Sequence, residues 1–201
     1  MSSSEEIARA LFGNTQQPRQ PATLADLLRA AQPQPLKRKV FVSYHHQDQA
    51  WVDHFRTQFG GTFDVFDDCS LDKLIDSTDT AYVNRTIRED YITGTSITIV
   101  LCGTETWRRK YVDWEIHSTL DKNHALLGVI LPNHTQVMRD GQFVWLVPDR
   151  LATNVDTGYA HWVQWPQSPQ ALNQAINHAI HRSTTNSRVK NNSAQKMQRN
   201  H

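Results

Sequence analysis

The sequence predicts a three-layer α/β fold with a central parallel β-sheet, and three observations point to it. Short apolar segments of strand length alternate along the chain with segments whose apolar residues recur at helical spacing. The segments 96–102 and 125–131 are apolar almost throughout, which is typical of strands buried on both faces of a sheet. Turns with glycine or polar residues separate these segments, and crossover helices between parallel strands then cover both faces of the sheet.

Four strands are predicted from runs of β-branched, aromatic and aliphatic residues bounded by turn residues. In chain order they are Lys39–Tyr44, Phe63–Phe66, Ser96–Cys102 and Ala125–Leu131, with weaker candidates at Phe143–Val147 and Leu151–Val155. The first is predicted to be a buried central strand. The second contains the polar residue Asp64, so we expect it nearer an edge of the sheet.

Four helices are predicted where apolar residues recur every three or four positions. They span residues 50–59, 81–92, 107–120 and 168–180. Gly60-Gly61 ends the first helix, and Gly94 separates the second from the strand that follows, as glycine commonly does at helix C-termini.

The α/β domain is predicted to span residues 39–182, between two flexible polar extensions. Residues 1–38 are rich in Gln, Pro, Ser and Ala, and their prolines exclude long regular elements. A short helix capped by Thr23 is compatible with this extension, which is either a mobile leader or a docking or self-association segment. Residues 183–201 lack apolar periodicity, and we predict that this tail is disordered.

The composition favours a soluble protein and gives no sign of a polyanionic partner. The 201 residues are 38% hydrophobic and carry a net charge of +1, from 21 basic and 20 acidic residues. Because no membrane span and no secretory leader is recognisable, we expect a cytoplasmic protein that binds neither membranes nor nucleic acid. Cys69 and Cys102 are then expected to be thiols, and the basic run 108–110 a solvated helix face.

Glu115, on the predicted helix 107–120, is the candidate catalytic residue. The aliphatic stripe of this helix is Val112, Ile116 and Leu120, and the nearly opposite face carries Trp107, Tyr111, Trp114 and Ser118. Glu115 lies between these two surfaces, so its carboxylate is partly desolvated, as in acids tuned for chemistry. The aromatic face must be covered by the chain termini or by another subunit, and we expect another subunit.

Loops at the carboxyl ends of the strands form the predicted ligand crevice. Parallel α/β sheets bind ligands beyond these ends, where the strand order reverses. If the order is flavodoxin-like, the loop after Tyr44 and the loop after Cys102 share the crevice. The loops concerned are 43–48, 67–80 and 103–107.

Two other interpretations of these loops are less well supported by the sequence. The histidine, acidic and cysteine residues near two strand ends are His45, His46, Asp67, Asp68 and Cys69. They have no tight metal-ligand spacing, so no metal site is expected. Phosphoacceptor receiver domains share this architecture and carry aspartates at strand ends, but the third predicted strand ends in Cys102, without an aspartate at its tip.

Three parts of the chain resemble the TIR superfamily, and more closely the bacterial TIR-like domains of the Thoeris ThsB-like group. The first strand and turn are Val40-Phe41-Val42-Ser43-Tyr44-His45-His46-Gln47-Asp48, which alone is not a specific motif. The specific part is Thr98-Ile99-Val100-Leu101-Cys102-Gly103-Thr104-Glu105-Thr106 followed by Val112-Asp113-Trp114-Glu115-Ile116, similar to the family's strand, Gly-Thr turn and Trp-Glu helix. Pro148-Asp149-Arg150-Leu151, Asn154 and Gly158-Tyr159 are similar to a later strand region.

This resemblance covers about residues 39–181 and implies a flavodoxin-like TIR fold whose glutamate acts on NAD. Glu115 is then the catalytic residue that releases nicotinamide, and the ADP-ribose remainder is hydrolysed or cyclised. No metal and no cofactor beyond NAD as substrate is implied. The residues expected to contact NAD are Ser43, Tyr44, His45, Asp67, Gly103, Thr104 and Tyr111, and Arg85, Arg108 and Arg109 are alternative partners for the pyrophosphate.

The same resemblance implies a biological setting. The protein would be a homo-oligomer that acts in bacterial anti-phage defence. Its product, linear or cyclic ADP-ribose, would be a signal for a separate effector protein. The alternative function is a non-catalytic TIR-type module that acts through protein interactions.

Overall fold

The structure is a computed structural model that describes residues 37–67, 92 and 94–200. Its strands are β1 (Arg38–Ser43), β2 (Phe63–Asp67), β3 (Ile97–Cys102), β4 (Ala125–Ile130), β5 (Val137–Arg139), β6 (Gln142–Val144) and β7 (His161–Gln164). Its helices of two turns or more are α1 (Gln49–Phe59), α2 (Lys110–Asp121), α3 (Asp149–Asp156) and α4 (Pro169–Thr185). The predictions for residues 1–36, for most of the loop 67–80 and for the helix 81–92 lie outside the described residues.

The central sheet has the order β2-β1-β3-β4-β7, and every pair of neighbouring strands is parallel. This is the flavodoxin-like order, in which the chain reverses direction across the sheet between β1 and β3. The prediction of a three-layer α/β fold with a parallel sheet is therefore confirmed. The strand with Asp64 lies at an edge, as expected, and β1 and β3 are internal.

Two apolar layers cover the two faces of the sheet. On one face, α1 and α4 pack against side chains such as Val42 and Ile99. On the other face, Val112, Ile116 and Leu120 of α2 pack with Val100 and Cys102 of β3, together with α3. Since side chains alternate along a strand, the sheet is buried on both sides, which explains why β3 and β4 contain no exposed residue.

The segments after β4 differ from the predictions. The weak strand candidate Leu151–Val155 is helix α3, because Leu151 and Val155 are four residues apart and share the inner face of a helix. Of the candidate Phe143–Val147, only the first residues form a strand, β6, in a hairpin with β5 outside the main sheet. The edge strand β7 was not predicted, because its four residues are only partly buried and give little apolar signal.

The C-terminal residues also differ from the prediction of a disordered tail beginning at residue 183. Helix α4 continues to Thr185, the chain makes a short turn at Ser187–Val189, and residues 190–200 run along α2 and α3. We call residues 190–200 the C-terminal strap. The strap lacks apolar periodicity, but the side chains of Lys190 and Asn192 donate hydrogen bonds to α2. The backbone of Asn191 exchanges two hydrogen bonds with the side chain of Asn154 on α3, and hydrophobic patterning does not detect such contacts.

No helix in the described ranges has both the length and the apolar character needed to cross a bilayer.

Because of a histidine contact between β7 and α4, we expect the stability of the folded protein to depend on pH. The rings of His161 and His178 are 4.3 Å apart, and burial, followed by the charges of His178 and Arg182, lowers the pKa of His161 to about 4. His161 is thus neutral in the folded protein at pH values where an unfolded histidine is already protonated. Its contribution to stability is complete above about pH 6.5 and is lost as the pH falls toward 4.

We therefore expect the melting temperature to fall between pH 7.5 and pH 5, and to fall less in the variant His161→Gln. Differential scanning calorimetry of both proteins at several pH values measures the difference between their slopes. The variant His181→Gln, at an exposed position of α4, is the matched control and should follow the unmodified protein. Equal slopes for all three proteins would contradict this role of His161.

Candidate active site

Glu115 is held rigidly on the second turn of α2. Glu115 is only 4% exposed, although its side chain is a carboxylate. The hydroxyl of Thr119 donates to the carbonyl oxygen of Glu115 over 2.8 Å, and it also lies 2.6 Å from the hydroxyl of Thr98 on β3. This hydroxyl pair fixes the turn that carries Glu115 directly over the central strand.

Ser43 is the last residue of β1 and Tyr44 follows it, and their side chains lie on opposite faces of the sheet. Ser43 pairs in register with Val100 and therefore shares the α2 face with Glu115; its hydroxyl is buried and bonds to no described residue. Tyr44 packs in the apolar layer of α1 and α4, and its hydroxyl donates to Gln49 over 2.8 Å. Of these two predicted substrate-binding residues, only Ser43 faces the side of the sheet where Glu115 lies.

His45 is the third residue of the predicted first turn, and it is 2% exposed. Its ring contacts the ring of His46 edge-on, with centroids 4.2 Å apart. Asp67, also predicted to contact the substrate, is the last residue of β2, the neighbour of β1. The chain ends of β1, β2 and β3 thus meet at the same edge of the sheet.

Asp48 is a residue of this edge that the sequence analysis did not select. Its carboxylate is 6% exposed and accepts a hydrogen bond from Thr106 over 3.4 Å. Burial raises the pKa of Asp48, although hydrogen bonds from Asn133 and Thr106 act in the opposite direction. Because Asp48 follows β1 and its two partners Thr106 and Asn133 follow β3 and β4, Asp48 ties three carboxyl-end loops together.

The position of Asp48 leaves no room for a side chain at Gly103. A Cβ atom added to Gly103 would lie 2.2 Å from the Asp48 carboxylate oxygen Oδ2, closer than any real contact of that kind. The backbone N–H of Gly103 also donates to Thr106 over 2.9 Å. Gly103 therefore lets the first and third loops approach each other, and the neighbouring Thr104 is exposed at the surface of this junction.

We expect Gly103→Ala to lower the free energy of unfolding by about 1–3 kcal/mol, because the methyl group overpacks this buried contact. The control Gly61→Ala should change stability little, since a Cβ atom there meets nothing within 4 Å. Urea unfolding measures both variants. Shortening the opposing side chain in the double variant Gly103→Ala/Asp48→Ser should reduce the penalty of the alanine, and an unchanged penalty would show that Asp48 is not its cause.

The two arginines before α2 are already paired within their own loop. Glu105 accepts hydrogen bonds from both Arg108 and Arg109, over 3.1 Å in the case of Arg109. Both guanidinium groups are partly exposed and would have to share their charge between Glu105 and a pyrophosphate. Arg85, the third predicted candidate, lies outside the described residues.

The aromatic face of α2 is covered by the C-terminal strap, whereas we had expected a second subunit to cover it. Trp114 is 3% exposed, and its indole N–H donates to the carbonyl oxygen of Met197 over 2.8 Å. The ring of Tyr111 meets that of Trp114 edge-on at 5.5 Å, and the Lys110 ammonium lies 4.8 Å from the centre of the Tyr111 ring. The strap replaces water over this face, so Trp114 needs no partner subunit to be buried.

Arg150 joins α2, α3 and the strap through five hydrogen bonds. Its guanidinium donates to both oxygens of Asp113, over 2.8 and 3.3 Å, and to Asn192 and the carbonyl oxygens of Ala194 and Gln195. Asp113 also accepts from the backbone N–H of Met197 over 2.9 Å. Arg150 is 3% exposed and Asp113 is 6% exposed, so this is a buried, charge-assisted network at the first turn of α2.

No group of three His, Cys, Asp or Glu side chains among the described residues is placed to hold a metal ion. Cys102 is a free, fully buried thiol, and burial raises its pKa. Cys102 ends β3, next to the loop 103–107, and packs in the apolar layer under α2.

The comparison with known families covers this same region. Residues 41–136 match the family described as Thoeris protein ThsB, TIR-like domain. This range contains the last residues of β1, the turn after it, β3 and α2 with Glu115. Residues 41–136 form a ThsB-like TIR domain. The predicted resemblance is thereby confirmed for residues 41–136.

One curated relative gives the same result. The TIR domain is similar to a Bacillus cereus (strain MSX-D12) protein named "Putative cyclic ADP-D-ribose synthase ThsB1", with 28% identity over 104 residues. The similarity covers 47% of this chain and 52% of the relative. The chain thus spans about half the length of the relative that it matches.

Proposed function

We propose that this TIR domain cleaves the bond between nicotinamide and ribose in NAD, with Glu115 as the catalytic carboxylate. The observation that carries the proposal is the placement of Glu115. It is 4% exposed, on a turn of α2 fixed to β3 by the Thr98–Thr119 hydroxyl pair. Such a preorganised carboxylate is worth most where positive charge develops in a site that excludes water.

The chemistry of the bond fits this residue type. As nicotinamide leaves, the ribose acquires oxocarbenium-like positive charge, which a fixed carboxylate stabilises as the carboxylates of glycosidases do. Water or a nucleophilic group of the remaining nucleotide then completes the reaction, giving linear or cyclic ADP-ribose. A site closed to water would favour the cyclic product.

The other substrate contacts belong to the loops around Glu115. We place the ribose and phosphates near Ser43, the last residue of β1, and His45, two residues after it; both are buried. Gly103 and Thr104 form the opposite loop, and Tyr111 lies one turn before Glu115 on α2. Tyr44 supports the first turn from the other face of the sheet, through Gln49.

The name of the relative and the family match support a role in Thoeris defence signalling. We propose that the nucleotide product is a signal for a separate effector protein. We also propose that the protein acts in the cytoplasm as a homo-oligomer. Since the strap covers Trp114, the oligomer interface would lie on other surfaces than the aromatic face of α2.

The test is an NAD assay with the purified full-length chain, alone and after concentration or addition of lysate from phage-infected cells. Chromatography with mass detection should show nicotinamide and an ADP-ribose product in equal amounts. It also distinguishes the cyclic from the linear product by mass, since cyclisation omits one water. Unchanged NAD in every condition would favour the alternative function, an interaction module without catalysis.

A further inference from the structure

A cavity of about 240 Å³ lies on the α2 face of the sheet. It is enclosed by β4, β7, helix α3 and the segment after the β5–β6 hairpin. Its walls include Cys102, Trp145, Leu151, Val155 and Trp162. Neither Glu115 nor Ser43, His45 or Tyr111 lines it, so the proposed function makes no use of it.

The walls of the cavity are held in place by contacts outside it. The ring of Trp145 meets the ring of His134 edge-on at 5.1 Å, and His134 Nε2 lies 2.9 Å from the carbonyl oxygen of Leu146. At Gly128, an added Cβ would lie 2.9 Å from a methyl group of Leu151 and 3.3 Å from Cβ of Trp162. The segment after the hairpin, α3 and β7 are therefore fixed around the cavity.

The interior of the cavity carries no charge. Cys102 is fully buried, and burial raises the pKa of its thiol, which is neutral at pH 7. The remaining interior groups are aliphatic and aromatic. The volume is below the range of about 300–1,000 Å³ of pockets for drug-sized ligands, so a single small ring system fills it.

One charged side chain stands at the edge of this apolar cavity. Asp156, the last residue of α3, lines it and is exposed, and within the described ranges its carboxylate makes no ion pair and accepts no hydrogen bond. Trp162, on the edge strand β7, is 40% exposed, which leaves an apolar entrance. An apolar interior with one carboxylate at its rim is complementary to a molecule with a flat apolar body and one positive charge.

We propose that this cavity is a binding site for a small aromatic amine. The ring would lie in the apolar interior against Trp145 and Trp162, and the ammonium group would face Asp156. The site is separate from the proposed NAD site, and the proposal does not depend on NAD cleavage.

Tryptamine, indole and indole-3-acetate test the proposal, because they share one ring system and differ in charge. Each is titrated into the ¹⁵N-labelled full-length chain, and the indole N–H resonances of Trp145 and Trp162 are followed. We expect saturable shifts of both resonances and an affinity for tryptamine about three- to fivefold higher than for indole, the usual strength of an exposed charge pair. Indole-3-acetate should bind more weakly than indole. No saturable shift with tryptamine, or equal affinities for the three compounds, would overturn the proposal.

Two pairs of variants locate the site. Ala152→Phe, which fills the cavity from α3, should weaken tryptamine binding at least tenfold, whereas Ala50→Phe, at an exposed position of α1, should leave it unchanged. Asp156→Asn should reduce the affinity for tryptamine to that for indole, and Asp140→Asn on the hairpin turn is its control. Circular dichroism checks that each variant is folded. Unchanged binding in Asp156→Asn would refute the charge-based choice of ligand.

Discussion

Replacing Glu115 by glutamine is expected to reduce nicotinamide release from NAD by about a hundredfold or more while the TIR domain stays folded. The amide has nearly the volume of the carboxylate, so the buried position on α2 is still filled. It has lost the negative charge that would stabilise the developing oxocarbenium ion. Losing one preorganised electrostatic group commonly costs about 10²–10³ in turnover.

The measurement is the initial rate of nicotinamide release under conditions where the unmodified chain is active. Asp121→Asn is the matched control, because it makes the same change of carboxylate to amide at the last turn of the same helix. Its rate should stay within about twofold of the unmodified protein. Full activity of Glu115→Gln, with an unchanged melting temperature, would remove Glu115 from the proposed mechanism.

Replacing Arg150 by methionine is expected to lower the free energy of unfolding by about 3–5 kcal/mol. Removing one partner of a buried ion pair leaves the other charge desolvated, and here Asp113 would remain 6% exposed without its main cation. The strap would also lose the three hydrogen bonds that the guanidinium donates to Asn192 and to the carbonyl oxygens of Ala194 and Gln195. Both effects act on the first turn of α2, five residues or fewer from Glu115 in sequence.

Urea unfolding measures this loss, and hydrogen exchange shows whether residues 190–200 lose protection. The exposed Arg188→Met, on the turn before the strap, is the control and should change stability by less than about 0.5 kcal/mol. The double variant Arg150→Met/Asp113→Leu should regain part of the stability, since no buried charge is left unpaired. A double variant less stable than Arg150→Met would contradict the assignment of the loss to the Asp113 charge.

The elements that were predicted correctly are those whose residues carry their own structural signal. The strands β1, β3 and β4 are apolar runs ended by turns, and the helices α1 and α4 have apolar residues at helical spacing. Their order along the chain is sufficient to predict a parallel sheet, because a parallel neighbour requires a crossover. Glu115 was selected for the same local reason, as an acid between two apolar surfaces of one helix, and its catalytic role stays a prediction.

The features that were missed depend on partners distant in sequence. Arg150 pairs with Asp113 across 37 residues, and Met197 binds Asp113 across 84. Each of these residues is ordinary in its own segment, and no spacing rule connects them. Asp48 stands next to Gly103 only because the sheet brings β1 beside β3. Local patterns in a single sequence do not show which distant residues are neighbours, because the fold brings them together.

The strap also has a consequence for the order in which the protein is built during synthesis. The first turn of α2 obtains its last partners from Met197 and Asn200, 84 and 90 residues after Asp113 and Lys110. At about 5–20 residues per second, a ribosome needs about 4–18 s to add this length of chain. Until then, Trp114 and Asp113 of the nascent chain lack the contacts that residues 190–200 provide. The helix that carries Glu115 therefore obtains these contacts only after residues 197–200 have been synthesised.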